Sequence, residues 1–384
     1  MTTHVFIVDD NTFKYHLEYM FAGTGAKNYV VDFNDAPTTK LHVSVENLLV
    51  AMMADGWRVR KNDFVLFYLE RDNSNFKKRD GRIFGIFQAV DNGIFFDNND
   101  ENQYLKTELK RSLTFRLKIR PYQVFQEGIT EWEALDEIQS IKSPSQMTWS
   151  LIYRKLKGKR GNTMITIPEA EYLFSLLRKK NKNNFLNFSN YTFSDDKIVE
   201  CKENTKYEGR CDKINILPRL ITKAKKGNAF EVHLQQYIIQ SIVCNTNKSL
   251  ESSLEISNNV EWIGNEVGCG VGMQRIDIML SKSIDATQRI IMPIELKSNS
   301  PLLDNIRQIT RYVEWVKQYY VPNRCSDIQP ILICLGGKIL SEDLKARFRD
   351  FNDRNSSDGI LPLKYIEYSI KDNDLFFEAV EYNK

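Results

Sequence analysis

The sequence predicts a mixed α/β protein built from two domains, and three observations carry that prediction. Two apolar runs, Arg275–Leu280 and Ile290–Lys297, flank the polar segment Ser281–Gln288 and read as adjacent strands of one sheet. Stretches with helical apolar spacing stand on either side of them, at Gly227–Ile238 and Asn305–Trp315. A polar, Asn- and Lys-rich stretch, Arg178–Asn184, separates this half from an N-terminal half with strands and helices of its own.

Taken in order, the first half predicts strands at Val5–Val8, Tyr29–Asp32, Asp63–Tyr68, Gly81–Val90 and Phe115–Ile119, where β-branched and aromatic residues are dense. A helix is predicted over Ser44–Ala54. Ser44 is its expected N-cap, Glu46 and Asn47 stand in its first turn, and Val45, Leu48, Leu49 and Met52 face inward. A second helix spans Glu169–Lys180, with Pro168 at its start. The domains are expected at residues 1–182 and 221–384, joined by a connector at 183–220 with some structure of its own.

Composition narrows the class. At 384 residues the chain is long enough for two cores, and a net charge of +3 gives no global field, so any basic surface is local. The cysteines Cys201, Cys211, Cys244, Cys269, Cys325 and Cys334 are scattered with no CxxC pair, which argues against a zinc site and a disulfide framework and fits a reducing cytoplasm. The N-terminus reads as a strand without a signal-peptide pattern, and no apolar stretch approaches membrane-spanning length.

The chemistry is concentrated in the two apolar runs. Asp277 and Glu295 sit inside them, and a carboxylate in such a setting has to be hydrogen-bonded, paired or bound to a cation. Two converging carboxylates suit a hard divalent ion such as Mg²⁺. Lys297 follows Glu295 by two residues, so strand alternation puts both on one face, where an ammonium can orient or deprotonate a water and stabilise charge developing on a phosphate. The bland reading is a buried pair, or salt bridges to Arg275 and Lys297.

Asp277 and Glu295-Leu296-Lys297 resemble the signature of the PD-(D/E)XK nuclease superfamily of restriction and repair endonucleases. Glu231, in the helical stretch upstream, stands where that superfamily carries a helix-borne acid; alternatively it only favours the helix dipole. Gln308 and Tyr312, four apart on the downstream helix, resemble the QxxxY helix of the RecB-like and NucS-like branches, or simply pack on a helix face. The resemblance covers about Lys223–Leu335. It implies a restriction-endonuclease-like αβββαβ core, a metal site of Asp277, Glu295 and Glu231, Mg²⁺ as cofactor with Mn²⁺ able to substitute, and Gln308 and Tyr312 in support. Glu266 is a secondary candidate for approaching the metal, against the plainer reading of a solvated strand end.

The first half resembles, more loosely, the PUA/EVE/YTH group of small β-barrels, on Asp63, Phe67, Tyr68, Gly81, Gly85 and Phe87. That resemblance implies a barrel-like recognition domain that accepts an extruded base, with Trp57, Tyr68 and Phe87 as possible pocket walls and Trp132 and Trp149 as further aromatics; burial in the core is the competing role for each. Arg58, Arg60, Lys77, Lys78, Arg79 and Arg82, with Lys155, Lys157, Lys159 and Arg160, are the cations expected to meet phosphates, unless they only solvate loops. The expectation is an Mg²⁺-dependent endonuclease of the type II restriction kind, acting on double-stranded DNA as a homodimer beside a cognate DNA methyltransferase. The alternatives are a NucS-like repair nuclease for mismatched or branched DNA, and an inactive DNA-binding protein on a nuclease fold.

Overall fold

The computed structural model describes residues 1–27, 29, 41–73, 78–142, 147, 161–269, 274–321 and 326–382. They form two compact units, mixed α/β in each, one running to Ile214 and the other from Asn215 onward.

The first unit contains β1 (Thr3–Val8), β2 (Phe21–Thr24), β3 (Phe64–Leu69), β4 (Asp72–Asn73), β5 (Lys78–Arg79), β6 (Arg82–Ala89), β7 (Phe95–Phe96), β8 (Phe115–Pro121), β9 (Ile129–Thr130) and β10 (Thr163–Ile165). Its main sheet has the order β10-β1-β3-β6-β8-β2, with β7 on β8 and β9 on β6. The strand path therefore has two ends among the described strands, where a closed barrel would have none. β1 and β3 are parallel, and two helices lie on the connection between them, as a parallel pair requires. β3 is buried over almost its whole length, consistent with its continuous apolar run.

The helix expected at Ser44–Ala54 runs from Val43 to Trp57, and its cap is His42, whose ring Nδ1 accepts from Ser44 N at 3.3 Å. Leu49 and Met52 are buried, while Val45 and Leu48 are half-buried along a surface recess. The helix Ile167–Lys180 has Thr166 as cap and Pro168 in its first turn, and Arg178, Lys179 and Lys180 complement its C-terminal dipole. Of the strand expected at Tyr29–Asp32, only Tyr29 lies among the described residues.

The stretch read as a connector belongs to the first unit as far as Ile214. It forms the hairpin β11 (Tyr191–Ser194) and β12 (Lys197–Glu200). Tyr191 is buried, and Phe193 packs its ring on Phe13 and Phe84. Further along, Arg210 bonds Asp97 and Asp100, which fastens the segment to the unit.

The second unit contains β13 (Val260–Gly268), β14 (Arg275–Ser283), β15 (Arg289–Leu296), β16 (Ser326–Ile328), β17 (Ile331–Leu335), β18 (Lys364–Lys371) and β19 (Asp374–Ala379). The order is β13-β14-β15-β17-β18-β19, with β16 on β15. β13, β14 and β15 form an antiparallel meander, and β15, β17 and β18 are parallel. The helix Leu303–Tyr319 makes the crossover from β15 and packs back on it, while the helix Glu231–Cys244 packs on β14 and β15. Ile278, Leu280, Ile294 and Leu332 on these strands are fully buried.

Candidate active site

The register of β14 and β15 brings the two carboxylates together. Ile278 pairs with Ile294, and continuing the antiparallel register by one residue sets Asp277 beside Glu295. Oδ2 of Asp277 accepts from Leu296 N at 2.8 Å. Burial and then the charge of Glu295 push the Asp277 carboxyl well above the usual carboxylate range, and the Leu296 N–H and Lys297 only partly pull it back.

Glu295 is 1 % exposed and satisfied on both oxygens. Lys297 Nζ lies 2.5 Å from Oε1, and Tyr312 Oη donates toward Oε2 at 2.8 Å. The same hydroxyl is 2.7 Å from Arg275 O, so one proton stands between two acceptors. Burial and the Glu295 charge raise the Tyr312 phenol, which keeps it a donor. Burial alone would lower Lys297, but Glu295, followed by Glu231 and Asp277, outweighs that and raises it. Lys297 is thus an ammonium here and donates, which favours orienting a water over deprotonating one.

Glu231 opens its helix and turns its Oε1 to Ser298 N at 3.2 Å, just past Lys297. Its contact therefore goes beyond complementing the helix dipole. Gln308 is half-buried, and its amide oxygen lies 3.4 Å from Asn305 Nδ2, so Tyr312 is the member of the pair that reaches a carboxylate. Glu266 pairs with Arg275 at 2.6 Å, which holds its carboxylate at the strand end.

Among the described residues no group of three or more His, Cys, Asp or Glu side chains is arranged to hold a metal ion. The expected trio of Asp277, Glu295 and Glu231 is close enough for each acidic charge to act on its neighbours, yet each carboxylate is turned to a protein donor and the three do not form a ligand cage.

Two participants escaped the sequence reading. Gln235 Nε2 donates to Asp277 O at 2.7 Å and to Asn265 Oδ1 at 2.6 Å, and both Gln235 and Asn265 are buried. The amide thus pins the backbone that carries Asp277. The available signal was the four-residue step from Glu231, which puts Gln235 on the same helix face.

In the first unit several expectations need correction. Trp57, Tyr68 and Phe87 are 5 %, 0 % and 0 % exposed, so they are core and not pocket walls. Trp57 packs over Gly93, the Tyr68 hydroxyl donates to Glu131, and Phe87 stands edge-on to Phe67. Trp132 is exposed, and Trp149 lies outside the described residues.

Arg58 and Arg79 cannot meet phosphates from where they are. Arg58, 1 % exposed, donates to Asn162 Oδ1 at 2.7 Å and to Asp55 O at 3.1 Å. Arg79, 5 % exposed, pairs with Asp10 and, at 3.2 Å, with Asp196. Arg60 leans on Asp63 at 3.7 Å, Arg82 is half-buried, and Lys78 is exposed. Lys77, Lys155, Lys157, Lys159 and Arg160 lie outside the described residues.

The first unit also has a recess of about 550 Å³, with Leu48, Leu49 and Met52 along one side and Tyr29, Lys110 and Arg111 among its other walls. Comparison with protein families found no matching family, and comparison with curated proteins found no match.

Proposed function

We propose that the second unit is a metal-dependent DNA endonuclease of the PD-(D/E)XK kind, working as a type II restriction enzyme on double-stranded DNA. The single observation that carries this reading is the buried Glu295, shared between Lys297 and Tyr312 and set by strand register beside Asp277, whose carboxyl is raised. A merely structural pair would leave no surplus charge. Here Asp277, Glu295 and Glu231 act together on the single ammonium of Lys297.

Asp277 and Glu295 offer oxygen donors from two adjacent strands, the donor type that Mg²⁺ accepts when it keeps several waters, although among the described residues no three such side chains are arranged to hold an ion. Asp277 and Glu295 would hold the ion, with Mn²⁺ able to replace Mg²⁺. When bound, it would supply Lewis-acid stabilisation of phosphoryl oxygens and a more acidic water.

The chain's own residues account for the rest. Gln235 fixes the backbone at Asp277, and the Leu296 N–H fixes its carboxylate. Tyr312 orients Glu295, and Lys297 presents an ammonium that can hold the attacking water and oppose the charge growing on the phosphate. Glu231 steadies the backbone after Lys297 through Ser298 N.

Two strands cut by one site per chain favour a homodimer matched to a symmetric target. A cognate DNA methyltransferase would protect the host sequence. Among the described residues no helix is long and apolar enough to cross a bilayer. The test is incubation with plasmid duplex, mismatched duplex and flapped DNA, each with Mg²⁺ or EDTA. Discrete Mg²⁺-dependent fragments from plasmid support restriction, and cutting confined to mismatches or flaps overturns it.

A further inference from the structure

Tyr368, on β18, carries a hydroxyl that the site described above does not use. The side chain is 1 % exposed, and among the described residues its oxygen has no hydrogen-bond partner. Burial raises the phenol, so it keeps its proton and stands as a donor without an acceptor. Tyr237, Tyr312 and Tyr365 in the same unit each meet a carboxylate, at 2.8 Å from Asp374, 2.8 Å from Glu295 and 3.0 Å from Glu367. Tyr320 shares the lack of a partner, but the acid near it is Glu261, which is outside the site.

Principle contacts of Tyr368 lead to Glu231. Its ring stands edge-on to Phe230, the residue before Glu231, with centroids 6.4 Å apart, and tilts on Phe377 at 6.1 Å. Gly336 N donates to Tyr368 O at 2.9 Å and Leu335 N to Asn299 O at 3.2 Å, which ties Tyr368 to the loop that follows Lys297. In that loop Ser298 N donates to Glu231 Oε1 at 3.2 Å. After burial, the groups that raise the Tyr368 phenol are Cys334 and Glu231. Cys334 is a thiol kept protonated by burial, a weak acceptor out of hydrogen-bond reach of the hydroxyl. Glu231 is the stronger acceptor, and among the described residues no hydrogen bond reaches its Oε2.

Packing does not account for the hydroxyl. A Phe at 368 would keep both ring contacts and remove a buried donor that has no acceptor. We propose that Tyr368 is a positioning residue for Glu231, its hydroxyl donating to Oε2 while that carboxylate works with Asp277 and Glu295 on the phosphodiester. This rests on the nuclease reading above. The two are not bonded in this structure, so the contact forms when the Glu231 side chain turns in the reacting site. Held at both oxygens, Glu231 then presents a single orientation of its charge, as outer partners of metal-bound carboxylates enforce.

The test compares wild type, Tyr368→Phe, Glu231→Gln and the double variant by melting temperature, by Mn²⁺ affinity from the spin-resonance signal of the free ion, and by single-turnover plasmid cleavage in Mg²⁺. Tyr368→Phe should melt at the wild-type temperature or above it, bind Mn²⁺ about tenfold more weakly and cut about tenfold more slowly. In the Glu231→Gln background the same change should alter neither affinity nor rate further, because the hydroxyl acts through Glu231.

The proposal is overturned, with the nuclease reading intact, if wild type cuts and Tyr368→Phe matches it in rate and in Mn²⁺ affinity. It is also overturned if the losses of the two single variants multiply in the double variant, or if Tyr368→Phe lowers the melting temperature, which would give the hydroxyl a structural partner. If wild type cuts no DNA at all, the nuclease reading falls and this proposal with it.

Discussion

Lys297 Nζ lies 2.5 Å from Oε1 of Glu295, a carboxylate that is 1 % exposed. An ion pair this deep is maintained because each partner answers the other's charge, and removing one side leaves the other uncompensated. Lys297→Met should therefore destabilise the fold by about 3 kcal/mol or more. Glu295→Gln/Lys297→Met should recover much of that loss. Urea unfolding of both variants checks the coupling, and a double variant less stable than the single one contradicts it.

Asp277 gives a pH-dependent prediction. Its folded carboxyl is raised, by burial and then by Glu295, above its unfolded value of ~3.9. A raised group contributes its stability below the unfolded value and loses it as pH rises through the folded value. At neutral pH the buried Asp277 carboxyl is thus a liability of the metal-free chain. Asp277→Asn, whose side-chain oxygen can still accept from Leu296 N, should raise stability at pH 7 by about 0.5–2 kcal/mol. The gain should shrink toward pH 4. Thermal melts at both pH values in EDTA are the measurement, and a loss of stability at pH 7 would contradict the account.

The helix pair divides into an active member and a bystander. Tyr312→Phe removes the donor to Glu295 Oε2 and should cost about 1–3 kcal/mol, because a buried carboxylate oxygen loses its partner. Gln308→Ala, whose amide oxygen meets only Asn305 among its described side-chain bonds, should cost less. Equal losses in paired unfolding curves would place both residues at the carboxylates.

How far the sequence reached is clear from these residues. Asp277, Glu295 and Lys297 were legible because charges interrupting apolar strands have few places to go. Gln235 was not, since its role is a bond to the backbone carbonyl of a residue 42 positions away. Arg58 and Arg79 read as free cations because the partners that bury them, Asn162 and Asp196, lie 104 and 117 residues downstream. Trp57, Tyr68 and Phe87 have the composition of a base pocket and the burial of a core, and sequence carries only the first. The ends of the Val43–Trp57 helix also moved, because His42 supplied a cap that a Ser at position 44 made easy to overlook.

Arg79 should accordingly behave as a structural residue. Arg79→Ala should destabilise the first unit by about 3 kcal/mol, since Asp10 and Asp196 lose a buried cation. Lys78→Ala, next to it but exposed, should change stability by less than about 0.5 kcal/mol. Chemical denaturation of the two variants separates these outcomes, and a neutral Arg79→Ala would return that residue to the list of surface cations.

The proposed reaction is phosphodiester hydrolysis at Asp277, Glu295 and Lys297 with a divalent ion. Its most direct measurement is the single-turnover rate of plasmid cleavage by wild type, Asp277→Ala and Lys297→Ala, each in Mg²⁺ and in EDTA. Wild type should cut in Mg²⁺ alone, with each variant slower by about 10²-fold or more. Full cleavage by both variants, or by wild type in EDTA, would contradict it.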